Sequence, residues 1–238
     1  MLYAVLWSAG LFAACFLLGS IPWGVVISRV FFHKDIRNEG SGNIGTTNAM
    51  RSMGKAGGAA VFLLDFGKGL LSGFLGTVFA VQVQAGLVTG LAQTGSYGSA
   101  LAFATVNADE VTAFCLGLAF LGCVWGHIFS PWLKFKGGKG IAVAIGCLFF
   151  TFGVVGSLLE IAVFAVLVVA TRYVSVGSLA AALTCPFFAL YFLWGHWVAV
   201  VLVSVGALTV VWAHRGNIER LRKGNERRIG KKKQQQAA

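Results

Sequence analysis

Long apolar runs separated by short, basic turns constrain this chain more than any other feature. Such runs cover residues 4–30, 57–82, 112–132, 141–170 and 177–213. A helix crosses the hydrocarbon core of a bilayer with about 20 apolar residues, in a range of about 17–25, so the first three runs predict one helix each. The fourth folds into a hairpin around Gly156 and Glu160, giving helices over 141–156 and 158–172. The fifth folds around Gly195 and His196, giving helices over 177–194 and 197–213. Composition agrees: 57% of the 238 residues are hydrophobic and 11% are charged, where a soluble domain carries about 25% charged residues. The first run is longer than the hydrophobic core of a cleavable signal and lacks its basic leader, so it reads as a retained helix.

The resulting fold class is an all-α membrane protein with about seven transmembrane helices. Cytoplasmic loops gather Lys and Arg. With the N-terminus outside and the C-terminus cytoplasmic, all 19 Lys and Arg fall on or near the cytoplasmic side, leaving Asp109, Glu110, Glu160 and His196 in the opposite loops. The stretch 84–110 is apolar but has no Lys or Arg to place it. A crossing there would put the two glycine-rich loops on opposite sides, so it reads as an extracytoplasmic or re-entrant insertion. Residues 1–230 form a single polytopic domain, and 231–238 are a basic, low-complexity tail of the kind attracted to anionic lipid. Cys15, Cys115, Cys123, Cys147 and Cys185 lie in apolar stretches without a CxxC pair, and read as buried small hydrophobes.

The polar loops are rich in glycine. GSGNIGTTNAM, Gly40 to Met50, offers backbone freedom at Gly40, Gly42 and Gly45 and polar side chains at Ser41, Asn43, Thr46, Thr47 and Asn48. Arg51 follows with a planar fork suited to phosphate. It is either an anion cradle or a plain helix connection, and it has neither the spacing of a Walker loop nor the setting of a GxGxxG that follows a strand, so nucleotide binding gains no support. FKGGKG, Phe135 to Gly140, places Lys136 and Lys139 at the start of an apolar helix, where free N–H groups favour anions. Its lysines serve equally as cytoplasmic flanks. His127 stands just upstream as an interfacial or catalytic histidine. Asp65 and Lys68, three apart on one helix, pair as structural support. RYVSVGS offers Ser175 and Ser178 at a cytoplasmic turn. HRGNIERLRKGNE, His214 to Glu226, carries a histidine beside a basic cluster, which suits a general base or an amphipathic interfacial segment.

Taken in order, GSGNIGTTN, GHIFSPWLKFKGGKGIA, RYVSVGS and HRGNIERLRKGNE resemble the bacterial acyl-phosphate-dependent glycerol-3-phosphate 1-acyltransferase family, from Gly19 to about Gly230. The resemblance implies transfer of a fatty acyl group from acyl phosphate to position 1 of sn-glycerol 3-phosphate, giving lysophosphatidic acid and phosphate, with no cofactor and no metal. It implies an enzyme of the bacterial cytoplasmic membrane with its site facing the cytoplasm, and a functional link to the enzyme producing acyl phosphate. Carried across, Ser41, Arg51, Lys139, His214 and Asn217 become catalytic residues. Gly40, Gly42, Asn43, Thr46, Asn48, Gly137, Gly138, Gly140, Ser175 and Ser178 hold substrate phosphate, and Asp65, Lys68 and Glu226 support the site. The chain departs from the family pattern at Thr46, Val143 and Asn225, none of which removes a group assigned to the chemistry.

An acyl phosphate is already activated, so direct attack by the glycerol hydroxyl is expected, with the proton passing to His214 or to a donor phosphate oxygen. An acyl-Ser41 intermediate ranks lower, because no histidine and carboxylate stand near Ser41 in the sequence. Two rivals fit less well. A transporter for a phosphorylated solute predicts midplane charges and repeated halves, and an enzyme using a cytidine-activated lipid predicts an array of aspartates, where the chain has only Asp35, Asp65 and Asp109.

Overall fold

The computed structural model describes residues 2–93 and 97–230, which form nine helices and two short 3₁₀ turns with no strand among the described residues. Residues 94–96 of the insertion and the tail 231–238 lie outside the described residues. The first apolar run is broken at Pro22 into α1 (Leu2–Ser20) and α2 (Trp23–Phe32), because proline supplies no N–H and disfavours helix in the residue before it. α3 (Thr46–Ala92) breaks at Gly54, whose φ of 72° and ψ of −172° redirect the chain. Residues 46–53, with Arg51, thus form a short segment separate from the long remainder. α4 (Tyr97–Ile128), α5 (Ile141–Thr151), α6 (Gly153–Thr171), α7 (Val174–Phe192), α8 (Trp197–Ala213) and α9 (Arg215–Arg222) follow. The flanks of the insertion are continuous with α3 and α4.

Length and composition support five or six of the seven expected spans. Five stretches are long and apolar enough to cross a membrane, Leu6–Phe32, Thr46–Gly90, Ala108–Leu133, Gly153–Thr171 and Val174–Phe192, and α8 with α9 bent 49° from it makes a sixth. α5 accounts for the difference. Its 11 residues rise only about 16 Å, roughly half the hydrocarbon core. The chain turns at Gly153, with φ of 70°, so Gly156 and Glu160 lie inside α6. Glu160 is buried there, facing Thr184 of α7 rather than an outer loop. The other hairpin turns at Gly195 and His196 as expected, and His196 Nδ1 meets Glu110 Oε2 at 2.6 Å.

α4 is the hub, with 72% of its apolar stretch buried against 17% for α6. Phe120, Cys123 and Val124 of α4 pack with Cys15 of α1, Cys147 of α5 and Val203 of α8. All five cysteines are free and buried. α1 and α4 approach through a reciprocal glycine pair. A methyl on Gly19 would strike the Cys123 carbonyl, and one on Gly126 would strike that of Phe16. Small residues permit this closeness, and in lipid close packing is a main source of helix association.

The helices also share one buried polar tie. Lys68 of α3 donates to the Ile21 carbonyl at the α1–α2 break (2.9 Å) and to His127 Nδ1 of α4 (2.9 Å), and pairs with Asp65 at 2.9 Å. Two hydrogen bonds and an ion pair thus compensate the ammonium, as a charge buried among helices requires.

Gly126→Val should lower the thermal unfolding transition in detergent micelles, corresponding to a loss of roughly 1–3 kcal/mol from overpacking. Gly10→Ala, which meets nothing within 4 Å, should leave that transition in place.

Candidate active site

A cavity of about 660 Å³ lies where the polar loops converge, a volume in the range of small-molecule sites. Four of its walls come from the segments singled out in the sequence.

The first wall is the loop 40–45 and the start of α3. Gly40 has φ of 58°, and a side chain there would collide with Asn48. Asn48 is buried and organises the loop. Its Oδ1 accepts from the Ser41 amide (2.9 Å), and its Nδ2 donates to the carbonyls of Ile36 (3.1 Å), Glu39 (3.0 Å) and Asn43 (2.8 Å). The Asn43 side chain accepts from the Gly45 amide at 2.9 Å. Ser41, Thr46, Thr47 and Arg51 are thereby presented to the cavity. Thr46 Oγ1 is buried without a hydrogen-bond partner among the described residues.

The second wall is the start of α5. Gly140, with φ of 86°, precedes the helix, and Ile141 and Ala142 bring its N-terminus to the cavity beside Lys139. Gly137 and Gly138, expected to present amides to phosphate, donate them instead to the carbonyls of Ile128 and His127, each at 3.0 Å, and neither lines the cavity. Gly138 is pressed against the His127 ring so closely that a methyl group would not fit. This turn is therefore anchored to α4, and Lys139 and Gly140 are the members of the motif that face the cavity. Gly42 also lies off the wall, its amide donating to the Glu39 carbonyl at 2.9 Å.

The third wall is the start of α7, with Val174 and the buried Ser175 and Ser178. The N-termini of α3, α5 and α7 thus converge, each adding partial positive charge.

The fourth wall is the bend after α8 and the segment beyond. His214 is buried, and its Nδ1 donates to the Val210 carbonyl (2.8 Å), which leaves Nε2 as the ring acceptor. Burial lowers this imidazole to about 4, with the Lys139 charge adding to the effect. Lys139 Nζ donates to Asn217 Oδ1, Asn217 Nδ2 to Glu226 Oε1 (2.7 Å), and Arg220 Nε to Glu226 Oε2 (2.7 Å). Burial, then the Arg220 charge, lower the Lys139 ammonium to about 8. Burial raises the Glu226 carboxyl, but hydrogen bonds from Arg220 and Asn217 outweigh it and hold the group below its ordinary range.

Arg220 and Arg227 also line the cavity, and neither stands out in the sequence. Arg220 has a legible signal: it is three residues after Asn217 on α9, and so shares a face with it. Asp65 and His127 reach the floor, while Lys68 supports them from behind. The remaining wall is apolar, formed by Met50, Ala59 and Phe62 of α3, Ile145 of α5 and Phe164 of α6. Cations and helix N-termini at one side and aliphatic and aromatic groups at the other suit a substrate with an anionic head and an apolar tail.

The glycerol-3-phosphate acyltransferase family model matches residues 9–224. The chain is 40% identical to the glycerol-3-phosphate acyltransferase of Rhodopseudomonas palustris (strain BisB5), over 92% of this chain and 94% of that one. It is 38% identical to that of Maricaulis maris (strain MCS10), over 95% and 89%. It also resembles the crystal structure of PlsY (YgiH), an integral membrane glycerol 3-phosphate acyltransferase. For the glycerol 3-phosphate form the TM-score is 0.72 at 30% identity, covering 94% of this chain and 96% of that one. For the lysophosphatidic acid form it is 0.69 at 29%, covering 94% and 95%. With its four polar segments gathered in one cavity and the family model reaching from residue 9 into the last of them, the chain belongs to the glycerol-3-phosphate acyltransferase family of membrane enzymes.

Proposed function

We propose that this enzyme transfers a fatty acyl group from acyl phosphate to the 1-hydroxyl of sn-glycerol 3-phosphate, in the bacterial cytoplasmic membrane with its cavity open to the cytoplasm. The observation that carries the reading is the single cavity in which Arg51, Lys139, Arg220 and Arg227 face an apolar wall. Two phosphate heads fit the cationic side, and the acyl chain fits the wall containing Phe62 and Phe164. The siting of the cations on one face of the bundle, with Glu110 and His196 paired at the far end of α8, supports the cytoplasmic orientation. A functional link to the enzyme that makes acyl phosphate follows from the choice of donor.

In the reaction the glycerol oxygen forms a bond to the acyl carbonyl carbon, the bond from that carbon to the phosphate oxygen breaks, and phosphate leaves with its electron pair. Lys139, Arg51 and the helix N-termini stabilise the charge on the departing phosphate. At about 4 the His214 imidazole is a poor base, which supports a donor phosphate oxygen as the proton acceptor. The one hydroxyl proton then passes to that oxygen, and His214, fixed by its Nδ1 bond to the Val210 carbonyl, serves as a positioning group in the cavity wall. Ser41 has its amide fixed by Asn48 and acts as a binding group rather than a nucleophile.

The direct test is purified protein in detergent, supplied with palmitoyl phosphate and glycerol 3-phosphate, with palmitoyl-coenzyme A as control donor. The expected result is equimolar lysophosphatidic acid and phosphate from the acyl phosphate alone. Absence of product from folded protein that still binds glycerol 3-phosphate would favour a transporter, to be followed as flux into liposomes. Arg51→Ala and Lys139→Ala should each lower kcat/KM by roughly 100-fold or more, as expected for losing a charged contact to the reacting phosphate. Full activity in either folded variant would remove that residue from the site.

The pH profile is a second test. Lys139 is charged below about 8 in the empty enzyme, and kcat/KM reports the free enzyme. It should therefore fall as pH rises through about 8, and Lys139→Arg, if active, should move that limb to higher pH because a guanidinium stays charged.

A further inference from the structure

Beyond α9 the chain forms a strap across the mouth of the cavity. The Ile229 amide donates to the Arg172 carbonyl (2.8 Å), and Arg228 Nε donates to the Tyr173 hydroxyl (2.8 Å) with its guanidinium 5.0 Å from the ring centroid. These contacts bind residues 228–229 to the turn between α6 and α7, while Glu226 anchors the other side through Asn217 and Arg220. Arg227, between the two anchors, is held over the cavity. It lines the wall, and its Nη2 donates to the Gly40 carbonyl at 3.3 Å, across 187 residues of sequence.

The charges around Arg227 are unmatched. Arg51, Lys139, Arg220 and Arg227 line the cavity, and among the described residues the only acidic ones lining it are Glu226 and Asp65. Asp65 is paired with Lys68 and Glu226 with Arg220. Arg51 is exposed to the fields of both Arg227 and Arg220. Like charges held together by fixed backbone contacts repel, and an anion between them relieves the repulsion. A single 3.3 Å hydrogen bond to a carbonyl is a weak use of a guanidinium, whose fork geometry fits two phosphate oxygens.

We propose that Arg227 is a substrate-phosphate-binding residue, closing the mouth of the cavity over one of the two phosphorylated substrates. It contributes to binding rather than to the bond change, because it sits at the rim, on the strap. The inference rests on the acyl-transfer reading above.

The test is initial-rate kinetics of the full-length enzyme and of Arg227→Ala and Arg227→Lys, varying each substrate at saturating levels of the other. In Arg227→Ala the KM of one phosphorylated substrate should rise about tenfold, the usual effect of losing one charged hydrogen bond. The other KM and kcat should stay within about twofold, as for a contact equal in ground and transition states. Arg227→Lys, which keeps the charge and loses the fork, should fall between. The substrate whose KM moves identifies which phosphate lies under the strap. Unchanged KM values for both substrates, equal rises in both, or a fall in kcat alone would each overturn the assignment. A wild-type enzyme that made no product would overturn the acyl-transfer reading and this inference with it. Turnover by the wild type with no KM change in Arg227→Ala would overturn this inference alone.

Discussion

The buried ammonium of Lys68 is the interaction on which the site depends. Its partners are the Ile21 carbonyl, His127 Nδ1 and Asp65, so one side chain joins the break between α1 and α2 to α3 and α4. Removing one partner of such a buried set leaves a charge uncompensated, at a cost of about 3–5 kcal/mol. The tie reaches the site through His127. Its ring packs against Gly138, and its carbonyl accepts the Gly138 amide while that of Ile128 accepts the Gly137 amide. The turn that carries Lys139 is thus built on α4, and α4 is positioned by Lys68 and by the glycine contacts with α1.

Above that floor, the electrostatics of the cavity are deliberately unbalanced. Glu226 orients Arg220 and Asn217, and Asn217 in turn receives Lys139. One carboxylate thereby arranges several donors without neutralising them all. The N-termini of α3, α5 and α7 add backbone dipoles of the same sign. In the empty enzyme burial, with the Arg220 charge beside it, brings Lys139 down to about 8. Once anionic head groups occupy the cavity, the same groups are already aimed at the oxygens where charge develops, which is how preorganised dipoles lower a barrier.

Much of this was legible in the sequence, because apolar runs and basic loops follow directly from the bilayer's demands. All seven predicted segments are largely helical, the first divided at Pro22 and the fourth crossing the turn at Gly153, and the four polar motifs meet in one cavity. The departures have local causes. Hydropathy does not distinguish Gly153 from Gly156 as a turning point, so α5 reads as a span although it is only 11 residues long. Glu160 reads as a loop residue because a buried carboxyl facing Thr184 leaves no periodic trace. Glycine content suggests free amides at Gly137 and Gly138, but whether an amide is free depends on the chain packed behind it, here the last turn of α4. Arg220 and Arg227 belong to a tail dense in basic residues, where sequence offers no means of separating those facing the cavity from those facing solvent.

The central claim is that both phosphorylated substrates occupy the cavity together and that the acyl group passes directly between them. Initial rates measured over a grid of acyl phosphate and glycerol 3-phosphate concentrations test it most directly. Double-reciprocal lines that intersect, with no burst of phosphate when acyl phosphate is added alone, are the predicted result. Parallel lines, accompanied by a stoichiometric phosphate burst and an acylated enzyme, would contradict it.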